Sequence, residues 1–305
     1  MPSSSSRRAP TVLLVGAAAS WGLGTVLSKY ALQGFSPAAL LPVQLVVSAV
    51  VLGVALLVTG ERPTAVQRPL RVAGLGVLNP GVAYALGLVG LARIDASTSV
   101  VIWATEPVLI VVLAALVLRE RLSAAAVACL LAAMVGIALI VGAPSSGAAL
   151  GGVLLTFAAV VSCAVYSILV RAMHLVDGTL PVVWLQQIAA LSFALLVYAV
   201  AVGADGSGSS APTPGEALAA ALGGIVYYGL AFWLYVAGLR RTLASRAGMY
   251  LTLIPVFGLA FSAVLLGERF TAVQAVGAVV VLAAMLTLSV TEARASAAVP
   301  EATTT

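Results

Sequence analysis

ASTSVVIWATEPVLIVVLAALVLRERLS, residues 96–123, and ASRAGMYLTLIPVFGLAFSAVLLGERFT, residues 244–271, are two versions of one pattern, 148 positions apart. Ala96 falls on Ala244, Ser97 on Ser245, Pro107 on Pro255, Glu120 on Glu268 and Arg121 on Arg269. Upstream the match continues at a spacing of 142: SWGLGTVLSK (20–29) lies on SCAVYSILVR (162–171), with Ser20 on Ser162 and Leu27 on Leu169. Extra residues in the Gly/Ser/Pro-rich stretch 203–214 account for the longer spacing downstream. A polar break at Ala143–Ala149, with Pro144, Ser145, Ser146 and Gly147, separates the two copies. A repeat of this length is to be read before any local feature, because it sets the architecture. In an apolar chain it points to a secondary transporter made of two related halves.

The chain is apolar throughout. Of its 305 residues 62% are hydrophobic and 8% charged, against roughly 25% charged in soluble domains, and its mean hydropathy is +1.16. Ten runs are long enough to cross a bilayer as helices: about 11–29, 37–59, 70–91, 96–118, 123–142, 151–171, 181–202, 215–238, 245–266 and 271–291. About 20 apolar residues suffice for each, since a helix satisfies its own backbone polar groups in lipid. The runs lack the period-2 alternation of a β-barrel. The expected fold is therefore an all-α integral membrane protein: ten transmembrane helices as two inverted five-helix repeats, residues 11–142 and 151–291. Five spans per half is an odd number, so the second copy enters the bilayer upside down. The Ser-, Ala- and Thr-rich ends, 1–10 and 292–305, are expected to be disordered.

Charge sets the orientation. With the N-terminus inside, only Lys29, Arg93 and Arg269 of the 15 basic residues fall outside. Cytoplasmic loops hold the excess of Lys and Arg, so both termini are read as cytoplasmic, in a plasma (inner) membrane. The basic residues cap apolar runs and form no face, which argues against nucleic acid as a partner. The opening MPSSSSRRAPTVLLVGAAAS is similar to a signal peptide. Its apolar run continues through Trp21 and Leu27, and it is read as the first span. Cys129 and Cys163 sit inside spans without paired spacing or a neighbouring His, and are read as small core residues.

Glu106 is the one acidic residue well inside an apolar run, ten residues into the fourth span and on the order of 15 Å deep. An ionised carboxylate there costs about 2.5–3.5 kcal/mol on the lenient insertion scale, so burial favours the protonated acid. That is what a proton-coupling group needs. Its repeat partner is Ile254, so the coupling is expected to be asymmetric. Ser99, Trp103, Glu106 and Ile110 follow at steps of 4, 3 and 4 and form one helical stripe. An aromatic ring one turn from a carboxylate suits a solute with an apolar body and a cationic or amine head.

Pro80, Pro107 and Pro255 lie ten or eleven residues into their spans. Proline removes a backbone hydrogen bond and frees carbonyls, which lipid does not tolerate unless protein or a wet cavity covers them. Asn79-Pro80-Gly81 is the strongest of the three breaks. Trp21, Tyr84 and Tyr228 are read as facing the cavity. Tyr166, Tyr227, Trp233, Tyr250, Gln44, Gln186 and Gln187 are weaker candidates, as packing or interfacial residues. Ala128, Ala132 and Gly136 make a smooth stripe suited to close helix packing, in a monomer or a homodimer. The Arg119-Glu120-Arg121 and Glu268-Arg269 turns are read as caps and topology devices.

These residues bring a family into view. Trp21-Gly22, the mid-span Pro107 and Pro255, and the two "(G/R)-E-R-(L/F)-(S/T)" turns resemble the drug/metabolite transporter superfamily, in its ten-helix EamA-type members. The resemblance covers residues 11–291. It implies an inverted-repeat bundle with a central cavity lined by the first, third, fourth, sixth, eighth and ninth helices. It also implies alternating access and movement of small metabolites or drugs (an amino acid, amine, nucleoside or cationic drug), usually outward, and no one substrate. The family pattern does not require Glu106, so its proton role rests on depth alone.

Other classes fit less well. An intramembrane hydrolase would need Ser/His or His/Asp/Glu sets in the bilayer, and the single His174 stands beside Asp177 in a short loop. No metal site or cofactor is expected. No Gly-x-x-x-x-Gly-Lys run marks a primary pump, and a lone Glu supplies no pore ring for a channel. A phosphate exchanger would want basic residues in the cavity. An intramembrane enzyme or a non-transporting membrane protein remains the alternative to a carrier.

Overall fold

In a computed structural model the described residues are 4–62, 66–106, 124–141, 147–173, 178–205, 211–239, 253–269 and 271–297, with isolated positions 109, 113, 116 and 250. Pro107, Ile110, Arg119, Glu120, Arg121, His174 and Asp177 lie outside them. All regular structure among the described residues is helical: α1 (Ser4–Ala31), α2 (Pro37–Thr59), α3 (Pro69–Gly76), α4 (Ala83–Leu91), α5 (Ala96–Trp103), α6 (Ala124–Val141), α7 (Gly147–Met173), α8 (Thr179–Asp205), α9 (Pro214–Gly223), α10 (Ala231–Leu239), α11 (Ile254–Leu265) and α12 (Ala272–Ala297). Widened π-type segments, Val77–Val82 and Gly224–Leu230, join α3 to α4 and α9 to α10. α1 and α12 reach past the apolar runs to Ser4 and Ala297.

Six helical stretches among the described residues are long and apolar enough to cross a membrane: Thr11–Ala31, Pro37–Thr59, Pro69–Leu91, Ala149–Tyr166, Leu180–Gly203 and Pro214–Tyr235. Ile254–Leu265 and two further stretches are apolar but shorter. Their outer faces carry side chains that water would not tolerate: Leu57, Val58 and Val264 are 85%, 81% and 80% exposed. Lipid is the solvent that makes such a surface stable.

Local chemistry ends the helices where the sequence turns polar. Ser36 caps α2, its hydroxyl accepting from Ala39 N at 3.3 Å, with Pro37 in the first turn. Gly60 closes the same helix in the left-handed region (φ 72°), where a side chain would be strained. At α9, Thr213 and Glu216 form a reciprocal capping box, with Thr213 N donating to Glu216 Oε2 at 2.7 Å.

Packing repeats with the sequence. A Cβ on Gly76 would run into the backbone of Gln186; on its counterpart Gly224 it would lie 2.6 Å from Gln44 O. Gln44 and Gln186 are themselves repeat counterparts. Likewise Gly90 packs on Thr156, and Gly238 on Leu14. The two π segments fall at corresponding positions. So do the turns that precede Glu106 (Ala104-Thr105) and open α11 (Leu253). Gly136 of the small-residue stripe packs within the chain, against Gly277 O of α12 at 2.8 Å from its would-be Cβ. Ala128 stays exposed. The core lies between the halves, where Tyr84, Tyr227 and Tyr228 meet Leu40, Leu45 and Cys163.

Candidate functional site

The site grows from the discontinuities. Asn79 is extended (φ −144°, ψ 116°) within the first π segment, and Pro80 follows it. Pro80 offers no N–H to Gly76 O four residues back, and Gly76 is itself buried, as are Asn79, Pro80 and Gly81. Pro255 occupies the first turn of α11, where its missing N–H removes no helical bond. α5 ends at Trp103, and Thr105 turns back to donate Oγ1 to Ile102 O at 2.7 Å. Glu106 comes next, partly exposed.

Four aromatic rings form a box beside it. Tyr84 lies 5.6 Å from Trp103, 5.3 Å from Tyr227 and 5.0 Å from Tyr228, centroid to centroid, and Tyr227 meets Tyr228 at 5.2 Å. The Tyr84–Tyr227 and Tyr227–Tyr228 pairs are edge-to-face, the arrangement that ring quadrupoles favour. The Glu106 carboxylate interacts electrostatically with Tyr84, Cys163, Tyr166, Tyr227 and Tyr235. Groups from α4, α7, α10 and the second π segment thus stand within its electrostatic reach.

Next to the box is a small pocket lined by Thr25, Ser28, Tyr84, Gly87, Leu88, Leu91, Ser99, Trp103 and Tyr227. Its free volume is about 10 Å³, room for roughly one water. The structure thus brings Trp103, Ser99 and Tyr84 to one pocket, with Glu106 and Tyr228 in the adjoining layer. Trp21 is set aside from it, its ring 5.5 Å from both Phe232 and Tyr235. Asn79 is buried at its break and does not line the pocket.

Thr25 and Ser28 were not among the candidates read from the sequence, and Tyr227 stood among the weaker ones. A signal was present: Trp21, Thr25 and Ser28 fall at steps of 4 and 3 on one face of α1. Ser28 accepts from Gln44 Nε2 at 2.9 Å, and Tyr166 donates to Gln186 Oε1 at 3.0 Å. Several buried polar atoms among the described residues have no hydrogen-bond partner: Trp21 Nε1, Gln44 Oε1, Ser48 Oγ, Asn79 Oδ1, Ser99 Oγ in the pocket wall, Gln186 Nε2, Gln187 Oε1 and Tyr228 OH. Such atoms cost about 1–3 kcal/mol each when unmade. They suit a layer that exchanges partners with a passing solute. Ser99→Ala is accordingly expected to leave the melting temperature in detergent unchanged or higher, while weakening solute binding several-fold; a large fall in melting temperature would contradict this. Among the described residues no His, Cys, Asp and Glu group has the makings of a metal site.

A membrane-embedded helical chain with breaks at repeated positions around a polar, aromatic centre defines a class of multi-pass membrane proteins. The comparisons place it more narrowly. The model of the EamA-like transporter family matches residues 9–142 and again 150–290. The chain belongs to the EamA-like transporter family, and is an integral multi-pass membrane protein of a family that moves small solutes. A solved structure titled "Crystal structure of protein" has a TM-score of 0.67 at 21% identity, covering 93% of this chain and 98% of that one. At that identity the likeness is one of fold. No curated protein matches the chain.

Proposed function

We propose that this protein is a secondary transporter that exports a small amine- or cation-bearing solute by alternating access, coupled to protons through Glu106. The observation that supports the reading is a partly exposed carboxylate, Glu106, within electrostatic reach of Tyr84 and Tyr227 in a box of four aromatic rings, in a chain whose helices are broken in both halves. Ring faces and a carboxylate together attract an organic cation, and among the described residues no basic side chain lines the pocket. A carboxylate that binds either a proton or a cationic solute, but not both, provides exchange coupling without a second site.

Ten spans in two inverted five-helix units, both termini on the cytoplasmic side of an inner membrane, are the architecture this reading uses. The paired contacts Gly76–Gln186 and Gly224–Gln44 support it, because equivalent residues meet across the halves in equivalent ways. The positive-inside distribution supports the orientation. Monomer and homodimer both accommodate the mechanism.

The test is a thermal-shift screen of the purified protein against amino acids, polyamines, quaternary ammonium compounds and nucleosides, followed by counterflow of the best binder in proteoliposomes. A cationic or amine compound is expected to stabilise the protein and to exchange across the membrane. Stabilisation by anionic or phosphorylated compounds alone would overturn the assignment of the solute class.

A further inference from the structure

At Leu91 the pocket adjoins a set of polar contacts separate from the aromatic box. Leu91, which lines the pocket, ends α4. Its carbonyl accepts from Lys29 Nζ at 2.9 Å, and the carbonyl of Ile94 accepts from the same ammonium at 2.6 Å. Just beyond, Ala96 N and Ser97 N at the start of α5 donate to Glu268 Oε1 at 2.9 Å and Oε2 at 3.0 Å. The turn 91–97 is thus fastened by a cation from the last turn of α1 and by an anion from the second half of the chain.

The arrangement is built for this. Asp95 precedes α5, yet its side chain makes no cap hydrogen bond to that helix; Glu268 takes the capping place from the other half. A carboxylate at a helix N-terminus meets the positive end of the helix dipole and two otherwise orphaned N–H groups. Glu268 is presented by its own loop: Gly267 is left-handed (φ 67°), and Glu268 N and Leu266 N both donate to Ser262 O, at 3.3 and 3.0 Å. Lys29 interacts electrostatically with Asp95 and Glu268, which joins the two fastenings into one charged cluster. Glu268 keeps partial exposure, whereas Ala96 is fully buried.

We propose that Glu268 and Lys29 are the gate residues at this end of the transport pathway: the pocket opens to the adjacent aqueous face only when Glu268 leaves the amides of Ala96 and Ser97 and Lys29 releases the carbonyls of Leu91 and Ile94. The inference rests on the transporter reading for its purpose and on these four hydrogen bonds for its geometry. It assigns the positional role to residues away from the solute box, so their substitution changes access and leaves box chemistry alone.

Accessibility of a reporter thiol tests it. In a Cys129→Ser/Cys163→Ser background, Thr25→Cys places a thiol in the pocket wall. A membrane-impermeant methanethiosulfonate is then applied to intact cells and, separately, to inverted membrane vesicles. Glu268→Gln is expected to raise the labelling rate from the face bearing residue 268 by about tenfold, the change that loss of one hydrogen bond to a charged group makes in an opening equilibrium, and Lys29→Met, which removes two such bonds, by more than that. Labelling from the opposite face stays constant. Glu268→Asp, which keeps the charge on a shorter stem, should fall between. Equal increases from both faces together with a lowered melting temperature would reduce Glu268 to a stabilising cap and overturn the proposal, as would no change from either face. The readout needs no solute, so absence of transport in the counterflow assay would sink the functional reading while leaving the gate measurable on its own.

Discussion

Glu106→Gln is expected to abolish accumulation of the solute driven by a proton gradient, and to weaken binding of a cationic solute by about 10–10², the loss that follows from removing a hydrogen-bonding partner that carries charge. The same change should leave the empty protein as stable as before, or more so. An amide of the same shape keeps the packing and removes an ionisable group whose charged form is poorly solvated beside Tyr84, Cys163 and Tyr227. The two readouts move in opposite directions, and that combination separates a functional acid from a packing one. A structural Glu would show lost stability with transport falling only in proportion. The pH profile gives a third measurement. Solute exchange by the wild type should vary with pH, because proton and solute compete for one carboxylate, and the Gln variant should lose that variation. A Gln variant that still accumulates solute against a gradient would remove Glu106 from the mechanism.

Gly76→Ala is expected to destabilise the protein by about 1–3 kcal/mol or more, the usual range for overpacking a close interface. A methyl there meets the backbone of Gln186, which cannot rotate away as a flexible side-chain tip can. Gly224→Ala should behave alike, since its Cβ would stand 2.6 Å from Gln44 O and 3.2 Å from Gln44 Cα. The pair makes the sharper prediction. If the halves pack as equivalents, the two losses in melting temperature should be similar, and Gly74→Ala, with open space around it, should be close to neutral. Thermal unfolding in detergent checks all three. Tolerance of alanine at both 76 and 224 would mean that α3 and the second π segment do not approach α8 and α2 as closely as described.

Helix placement was legible in the sequence because its causes are local. Long apolar runs between polar breaks located the spans, and Asn79-Pro80 located the first discontinuity, since a proline's missing N–H acts on its own turn. The second π segment, Gly224–Leu230, at the position corresponding to the first, was not read from the sequence, because Tyr228 stands where Pro80 stands in the first half and no proline marks it. The tyrosine pair was harder. Tyr228 was singled out and Tyr227, which lines the pocket, was ranked below it, although the two differ by a single step around the helix.

The chain's composition and its internal repeat by themselves determined that it lives in a membrane, as helices, in two related halves, with one acid deep in an apolar run. Only the tertiary structure decided that Thr25, Ser28, Ser99 and Tyr227 share a wall, and that Glu268 reaches across to hold the start of α5. The physical reason is the solvent. In water a helix declares its inner face by contrast between apolar and polar sides; in lipid both sides are apolar, the contrast vanishes, and the facing is set by which small residues let helices approach. Contacts such as Gly76 on Gln186, 110 positions apart in the chain, leave no periodic trace to read.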